Sequence, residues 1–193
     1  EEGCVRLGLN DVKGLRAASA AAIAAGRANG PFRSIQDLVD RVPSLRKDEL
    51  NVLAAAGALN SLEALADAHR RAALWNAVLA VRPAGELFRA EDGNGGSPLA
   101  PMTPEERLAA DFHTTRLTLG PHPFRFYREA MNALSVKRAA ELKRVGDGQK
   151  VRVAGCVITR QRPGTAKGFV FLSLEDETGI ANIIVQPDLF RDQ

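Results

Sequence analysis

Arg160-Gln-Arg-Pro-Gly-Thr-Ala-Lys-Gly-Phe-Val-Phe-Leu-Ser-Leu-Glu-Asp-Glu-Thr-Gly-Ile-Ala-Asn-Ile-Ile-Val185 is the stretch whose turns and alternation decide the fold. Before it, Val151 to Thr159 is an extended, β-branched run with Gly155 in its middle. Arg160, Arg162 and Lys167 crowd one turn built on Pro163-Gly164, and Phe169 to Leu174 leads out of it. The turn Glu175-Asp176-Glu177-Thr178-Gly179 then reverses the chain into Ile180 to Val185. Two successive hairpins predict three short strands in meander order. A meander whose first strand carries a bend-permitting glycine opens a five-stranded barrel of the OB type, here represented by its first three strands. In that barrel the loop between strands one and two borders a nucleic-acid groove, and cations there with no acid among them point to phosphate.

Working outward, the 193 residues suit one large or two small domains, and an apolar content of 45% is enough for a packed core. The formal net charge of +3 is too small to name a nucleic-acid partner, so the placement of charge has to carry that argument. Cys4 and Cys156 are far apart and sit beside apolar residues, which predicts small core residues rather than a disulfide or a metal site. No apolar run approaches the roughly 20 residues that span a bilayer, and no secretory signal is visible, so a cytoplasmic protein with no membrane partner is expected. A chain that opens Glu1-Glu2-Gly3 and stops after three barrel strands is expected to be a fragment, cut within its last domain.

Upstream, residues 1–82 are Ala- and Leu-rich. Ala17 to Ala28 favours helix and is stopped by Asn29-Gly30-Pro31. Ser34 caps a helix with Ile35, Leu38 and Val39 on one face, and Asp37 stands where a capping box needs its acid. Lys47 to Ala56 is a third helix, ended by Gly57. Asn60 is expected to cap a long helix from Leu62 to about Val81, with Glu63 completing the box. Two helix, Gly-hairpin, helix units are thus centred on Gly14 and Gly57, the layout of a tandem helix-hairpin-helix module. A hairpin glycine lets backbone approach a phosphate, and the following helix offers free N–H groups. Such a module holds nucleic-acid backbone rather than reading bases.

The remainder is a linker over 83–104, a helical connector over 105–148 and the barrel segment over 149–193. Thr103-Pro104-Glu105-Glu106 starts a helix that sends Leu108, Ala109 and Phe112 toward a core. Short helices are expected around Phe126 to Leu134 and Lys137 to Leu142. The fold class is therefore α+β multidomain: a tandem helix-hairpin-helix module followed by an incomplete OB-type β-barrel.

The candidate nucleic-acid contacts are Lys13, Gly14, Arg16, Gly57, Arg160, Arg162, Lys167, Phe169 and Phe171. Phe169 and Phe171 share a strand face and suit base stacking, while Val170, Leu172 and Leu174 compete from the other face for the interior. The pattern does not fix which face is inside; it leans toward at least one exposed Phe. Plainer readings hold elsewhere. His122 between two prolines has no second ligand at metal spacing. Glu175, Asp176 and Glu177 read as a solvated turn. Arg70, Arg71 and Arg82 read as the wet face of the long helix. No catalytic residue, Gly-rich nucleotide loop or zinc spacing is present.

Leu7-Gly-Leu…Val12-Lys-Gly-Leu15, Gly30-Pro-Phe-Arg-Ser-Ile-Gln-Asp-Leu38 and Leu53-Ala-Ala-Ala-Gly-Ala-Leu59 resemble the helix-hairpin-helix region of bacterial C-family DNA polymerases, the DNA polymerase III α-subunit type. Asp111-Phe-His-Thr-Thr-Arg-Leu-Thr-Leu-Gly-Pro-His-Pro123, Arg160 to Gly168 and Leu174 to Asn182 are similar to the error-prone, damage-inducible branch of that family rather than the replicative one. The resemblance covers nearly all of the chain except the linker. It implies a C-terminal, non-catalytic region that holds duplex DNA through the hairpins and single strands through the barrel, in a polymerase of translesion synthesis and induced mutagenesis. The catalytic palm would lie upstream, with its divalent metal, expected to be Mg; no cofactor is expected in this stretch. The family's first hairpin carries Gly at both ends of a Gly-x-Gly step, and here Arg16 stands at the second position. Another reading makes the region a dock for accessory mutagenesis proteins or a sliding clamp, because Gln186-Pro-Asp-Leu-Phe190 fits a loose clamp-binding pattern. The same region of a replicative α subunit is the third.

Overall fold

The structure is a computed structural model and describes residues 7–62, 69–81 and 97–191. The chain divides into two compact units, Glu1–Gly120 and Pro121–Gln193. The division falls inside the stretch that the sequence suggests is a connector over 105–148. Among the described residues no helix is long and apolar enough to cross a membrane.

Unit 1 is helical. α1 (Ala17–Arg27) follows a 3-10 turn at Leu9–Asp11, and Gly30, at φ 103°, turns the chain after it. α2 (Ile35–Arg41) begins at Ser34, whose Oγ accepts from the Asp37 amide at 3.1 Å. Asp37 closes no box with Ser34. It accepts from the Arg33 amide at 2.9 Å and from Arg41 Nη1 at 3.0 Å instead. Arg41 reaches back to the carbonyls of Gly26 (2.6 Å) and Gly30 (2.9 Å), capping the end of α1, and lies 4.4 Å over the Phe32 ring.

α3 (Lys47–Ala55) ends in a Schellman motif: the Ala58 amide donates to Leu53 O and the Gly57 amide to Ala54 O, both at 2.9 Å, with Gly57 at φ 81°. α4 is shorter than its sequence suggests. It runs Arg70–Ala80 and is capped by His69 Nδ1, which accepts from the Ala72 amide at 3.1 Å. Asn60 does not cap it; Asn60 Oδ1 is buried without a hydrogen-bond partner among the described residues. Glu63, Arg82 and most of the 83–104 stretch lie outside the described residues, as does Cys4.

α5 (Pro104–Thr114) starts where expected and opens with a capping box, the Glu106 amide donating to Thr103 Oγ1 and the Thr103 amide to Glu106 Oε2. Its inward face is Asp111 and Thr114, however, and Phe112 is 44% exposed. The reason is an ion pair: Arg70 Nη2 meets Asp111 at 2.6 Å, so Arg70 is packed inside rather than on a wet face, while Arg71 pairs with Glu106 at 2.8 Å. Ile35, Leu38, Val42, Leu50, Leu53, Ala54, Ala73 and Ala77 form the core between α2, α3 and α4.

Unit 2 opens with α6 (Pro123–Ala133), longer than expected, and β1 (Val136–Lys137) precedes the helical segment expected around Lys137 to Leu142, which forms two residues later as a 3-10 helix. A 3-10 turn at Ala139–Arg144 leads to β2 (Arg152–Val153), which pairs parallel with β1. β3 (Cys156–Gln161), β4 (Val170–Asp176) and β5 (Gly179–Val185) form an antiparallel sheet in that order, with β5 at an edge. The sheet is not closed into a barrel among the described residues. The first predicted strand breaks at Gly155 because it crosses β4 closely: a Cβ there would lie 2.8 Å from Glu175 O. β3 also slips in register between Val157 and Thr159. α7 (Pro187–Arg191) ends the unit.

The turn after β4 is solvated only at Glu175, Thr178 and Gly179, and its other two acids turn inward. Asp176 is 4% exposed, and its Oδ1 accepts from the Thr178 amide and hydroxyl, both at 2.7 Å. Its Oδ2 accepts from the Ala139 amide at 2.8 Å. Arg128, on α6, is buried against it and grips Glu177 through Nε (2.6 Å) and Nη2 (2.8 Å). Glu177 holds Arg128 firmly charged, and Arg128 in turn keeps the Glu177 carboxyl below its ordinary value.

Candidate nucleic-acid interface

The first hairpin is an open turn. Gly14, at φ 91°, is exposed and would meet nothing closer than Val52 at 3.6 Å if it carried a Cβ, so its backbone conformation, not crowding, calls for glycine. The Leu15 amide donates to Val12 O at 3.2 Å and the Lys13 amide to Thr114 O at 2.7 Å, fixing the turn to the end of α5. Lys13 is exposed beside it, as are Ala17 and Ala18 in the first turn of α1. The site offered is a lysine, a flat glycine turn and a helix start.

Arg16, the N-cap of α1, is spent differently. Its Nε and Nη2 grip Glu49 at 2.9 and 2.8 Å, and Nη2 also reaches Ser19 Oγ and Ser44 O, each at 2.9 Å. Glu49 is 1% exposed and accepts further from the amides of Arg16 and Arg46, each at 3.0 Å. The Arg16 hydrogen bonds hold the Glu49 carboxyl far below the usual carboxylate range against the cost of burial. Arg16 therefore shapes the hairpin by tying it to α3.

The second hairpin is covered. A Cβ on Gly57 would fall 2.9 Å from Arg70 Nε, so Arg70 lies where a phosphate would approach. In unit 2, two tight turns carry the basic loop: the Ala166 amide donates to Pro163 O at 3.1 Å and the Phe169 amide to Ala166 O at 2.9 Å. Lys167 sits in the left-handed region at φ 48°, followed by Gly168 at φ 90°, where a Cβ would lie 3.4 Å from Pro187. Arg160, Arg162 and Lys167 are exposed.

The strand register divides the sheet. Val170 is 2% exposed, and Phe171 is 38% exposed on the opposite face, opposite Ile184 on β5 and Gln161 on β3. Phe169, just before β4, is half-buried. Arg160 pairs with Leu172, so it falls on the face opposite Phe171. Phe171, Thr159, Ser173 and Asn182 share the outward face, with Ser173 Oγ 3.0 Å from Asn182 Oδ1. His122 caps α6, its Nδ1 accepting from the Phe124 amide at 3.2 Å. Cys156 is partly buried in β3, and burial pushes its thiol pKa up, away from thiolate chemistry.

Glu49, Arg41 and Arg128 organise these surfaces without being singled out by sequence pattern, and Asp176, which does the same, reads from sequence only as part of a solvated turn. Only Asp176 carried a signal, an Asx residue two before Thr178 and three before a turn glycine.

The helix-hairpin-helix motif family matches residues 1–73. Over 97% of its length the chain is 43% identical to an error-prone DNA polymerase of Rhodopirellula baltica, and over 99% it is 41% identical to one of Anaeromyxobacter dehalogenans. An error-prone DNA polymerase of Burkholderia pseudomallei is 43% identical over 98% of the chain. The chain spans only 16 to 17% of the length of these relatives.

Proposed function

The chain belongs to the error-prone DNA polymerases, and from that membership we propose that this stretch holds DNA for a polymerase of translesion synthesis and damage-induced mutagenesis. Duplex backbone is held at the Lys13-Gly14 turn and the start of α1. Single-stranded template is held by the loop of Arg160, Arg162 and Lys167, with the sheet as part of an OB-type groove, and Phe171, on the face opposite Arg160, is a separate stacking surface. Nucleotidyl transfer, with a divalent metal, is proposed for the whole protein, and this stretch supplies binding without catalysis. The observation that carries the reading is the open Gly14 turn in a chain of this family, exposed and flanked by a lysine and a helix start.

Fluorescence anisotropy across a salt series tests it. Wild type is expected to bind single strands with log K falling by roughly 0.7 per phosphate contact on log salt, and the variant Arg160→Ala/Arg162→Ala/Lys167→Ala is expected to lose at least one such contact from the slope. Its duplex binding should change little. Equal single-strand slopes for the two proteins would remove the loop from the interface.

A second reading is favoured by one observation. Leu189, in the Gln186 to Phe190 segment, is 60% exposed on the short helix α7. In that reading the segment docks a sliding clamp, and Leu189→Ala should abolish pull-down of the clamp. Unchanged pull-down would leave Leu189 an ordinary surface residue.

A further inference from the structure

Unit 2 contains a cavity of about 350 Å³ that neither proposed DNA contact uses. His122, Arg125, Arg128, Arg138 and Glu177 line it. Three guanidinium groups around one cavity are an unusual concentration of positive charge, and they come from separate places: Arg125 and Arg128 from α6, Arg138 from the segment after β1.

Their commitments differ. Arg128 is 8% exposed and gives Nε and Nη2 to Glu177, while its buried Nη1 has no hydrogen-bond partner among the described residues. A buried guanidinium N–H without an acceptor is unfavourable, so an acceptor at this end of Arg128 is favoured. Arg138 stands 3.9 Å from Glu177 and is 44% exposed, and Arg125 is exposed. His122 accepts at Nδ1, which leaves Nε2 as its donor, 4.0 Å from Glu175. Glu177 and Asp176 offset Arg128 and part of Arg138, and Glu141 adds a further negative charge near Arg128, so Arg125 is the guanidinium of the three without a carboxylate partner among the described residues.

We propose that this cavity binds a phosphate group, supplied either as a free phosphate or by a nucleic-acid backbone. Arginine forks suit it because each presents parallel donors, and a tetrahedral phosphate has enough oxygens to accept from several forks at once. A carboxylate, with two oxygens, satisfies one fork. The site lies apart from the Arg160, Arg162 and Lys167 loop in sequence, so the two can be tested separately.

The test follows the arginine Nε–Hε signals of the whole chain by NMR during titration with inorganic phosphate and then with oligodeoxythymidylate, at constant ionic strength with chloride as control. Arg125 and Arg138 signals are expected to shift saturably, and Arg125→Gln and Arg138→Gln each to weaken phosphate binding about tenfold, as loss of one charged hydrogen bond does. Both side chains face solvent, and unchanged thermal melts verify that the variants fold. If the oligonucleotide displaces phosphate, the natural source is a nucleic-acid backbone. If phosphate stays bound beside the oligonucleotide, the source is a small phosphate compound. No saturable shift with either ligand, or binding indifferent to both variants, overturns the proposal.

Discussion

Glu49→Ala is expected to cost unit 1 about 3 kcal/mol of stability, the lower end of the range for breaking a buried ion pair, because Arg16 remains partly in water. Arg16 is 41% exposed and Glu49 only 1%, so the variant strands donors more than it strands a buried charge. The lost acceptor serves the Arg16 guanidinium, the Arg16 and Arg46 amides and the Ser19 hydroxyl. Ser19 is 1% exposed and has no water to turn to. The chain's single tryptophan, Trp75, lies on α4 and reports this unit in urea unfolding. A loss below 1 kcal/mol would show that the clasp is ornamental. The pH dependence has a fixed sign. Glu49 has a depressed folded pKa, so its contribution is complete above the ordinary carboxylate value of about 4.3 and is lost as pH falls below it. The Lys13-Gly14 turn should slacken with it, since Arg16 ties that turn to α3.

Asp176→Ala is expected to cost unit 2 about 4 kcal/mol, since it strips acceptors from a site that excludes water. The Ala139 amide, the Thr178 amide and hydroxyl and the Gly179 amide all lose their partner, and Arg128 keeps only Glu177. Hydrogen exchange at the Ala139 amide is the direct readout, and undiminished protection there would contradict the assignment. Burial pushes the Asp176 carboxyl up, yet its hydrogen bonds to Thr178 and Ala139 and the Arg128 charge outweigh this and lower it. Unit 2 should therefore also lose stability as pH falls below the ordinary Asp value of about 3.9.

Local chemistry was legible and distant pairing was not. The strand alternation from Phe169 to Val185, the helix start at Thr103-Pro104 and the Gly57 helix end all depend on residues within a few positions of one another, and each forms as its pattern suggests. Arg16 meets Glu49 across 33 residues and Arg128 meets Glu177 across 49, separations at which a charge pattern names no partner. The same blindness put Arg70 on a wet face and turned α5 so that Phe112 pointed inward. One ion pair between Arg70 and Asp111 reverses both. Asn60 has every sequence credential of a cap, but the chain continues in turns past it and His69 does the capping. At the candidate interface, the Gly14 turn follows from pattern, whereas the alternation left open which face of the Phe169 to Leu174 strand is buried, and the fold decides it with Val170 inside and Phe171 outside. The covering of Gly57 by Arg70 and the separation of Arg160 from Phe171 on two faces required the fold.

β5, at the edge of the sheet, reads Gly179-Ile-Ala-Asn-Ile-Ile-Val185, with no charge and no proline along it. Ile180 and Ile184 are 55% and 62% exposed. Such a strand is a template for its own kind: natural edges are usually guarded by lysine, proline or a bulge, and this one is not. The irregularity in this sheet sits on the other side, in β3. At high concentration, two copies of the chain are expected to pair β5 to β5, a closed dimer because each copy spends its one β5 edge in the pairing.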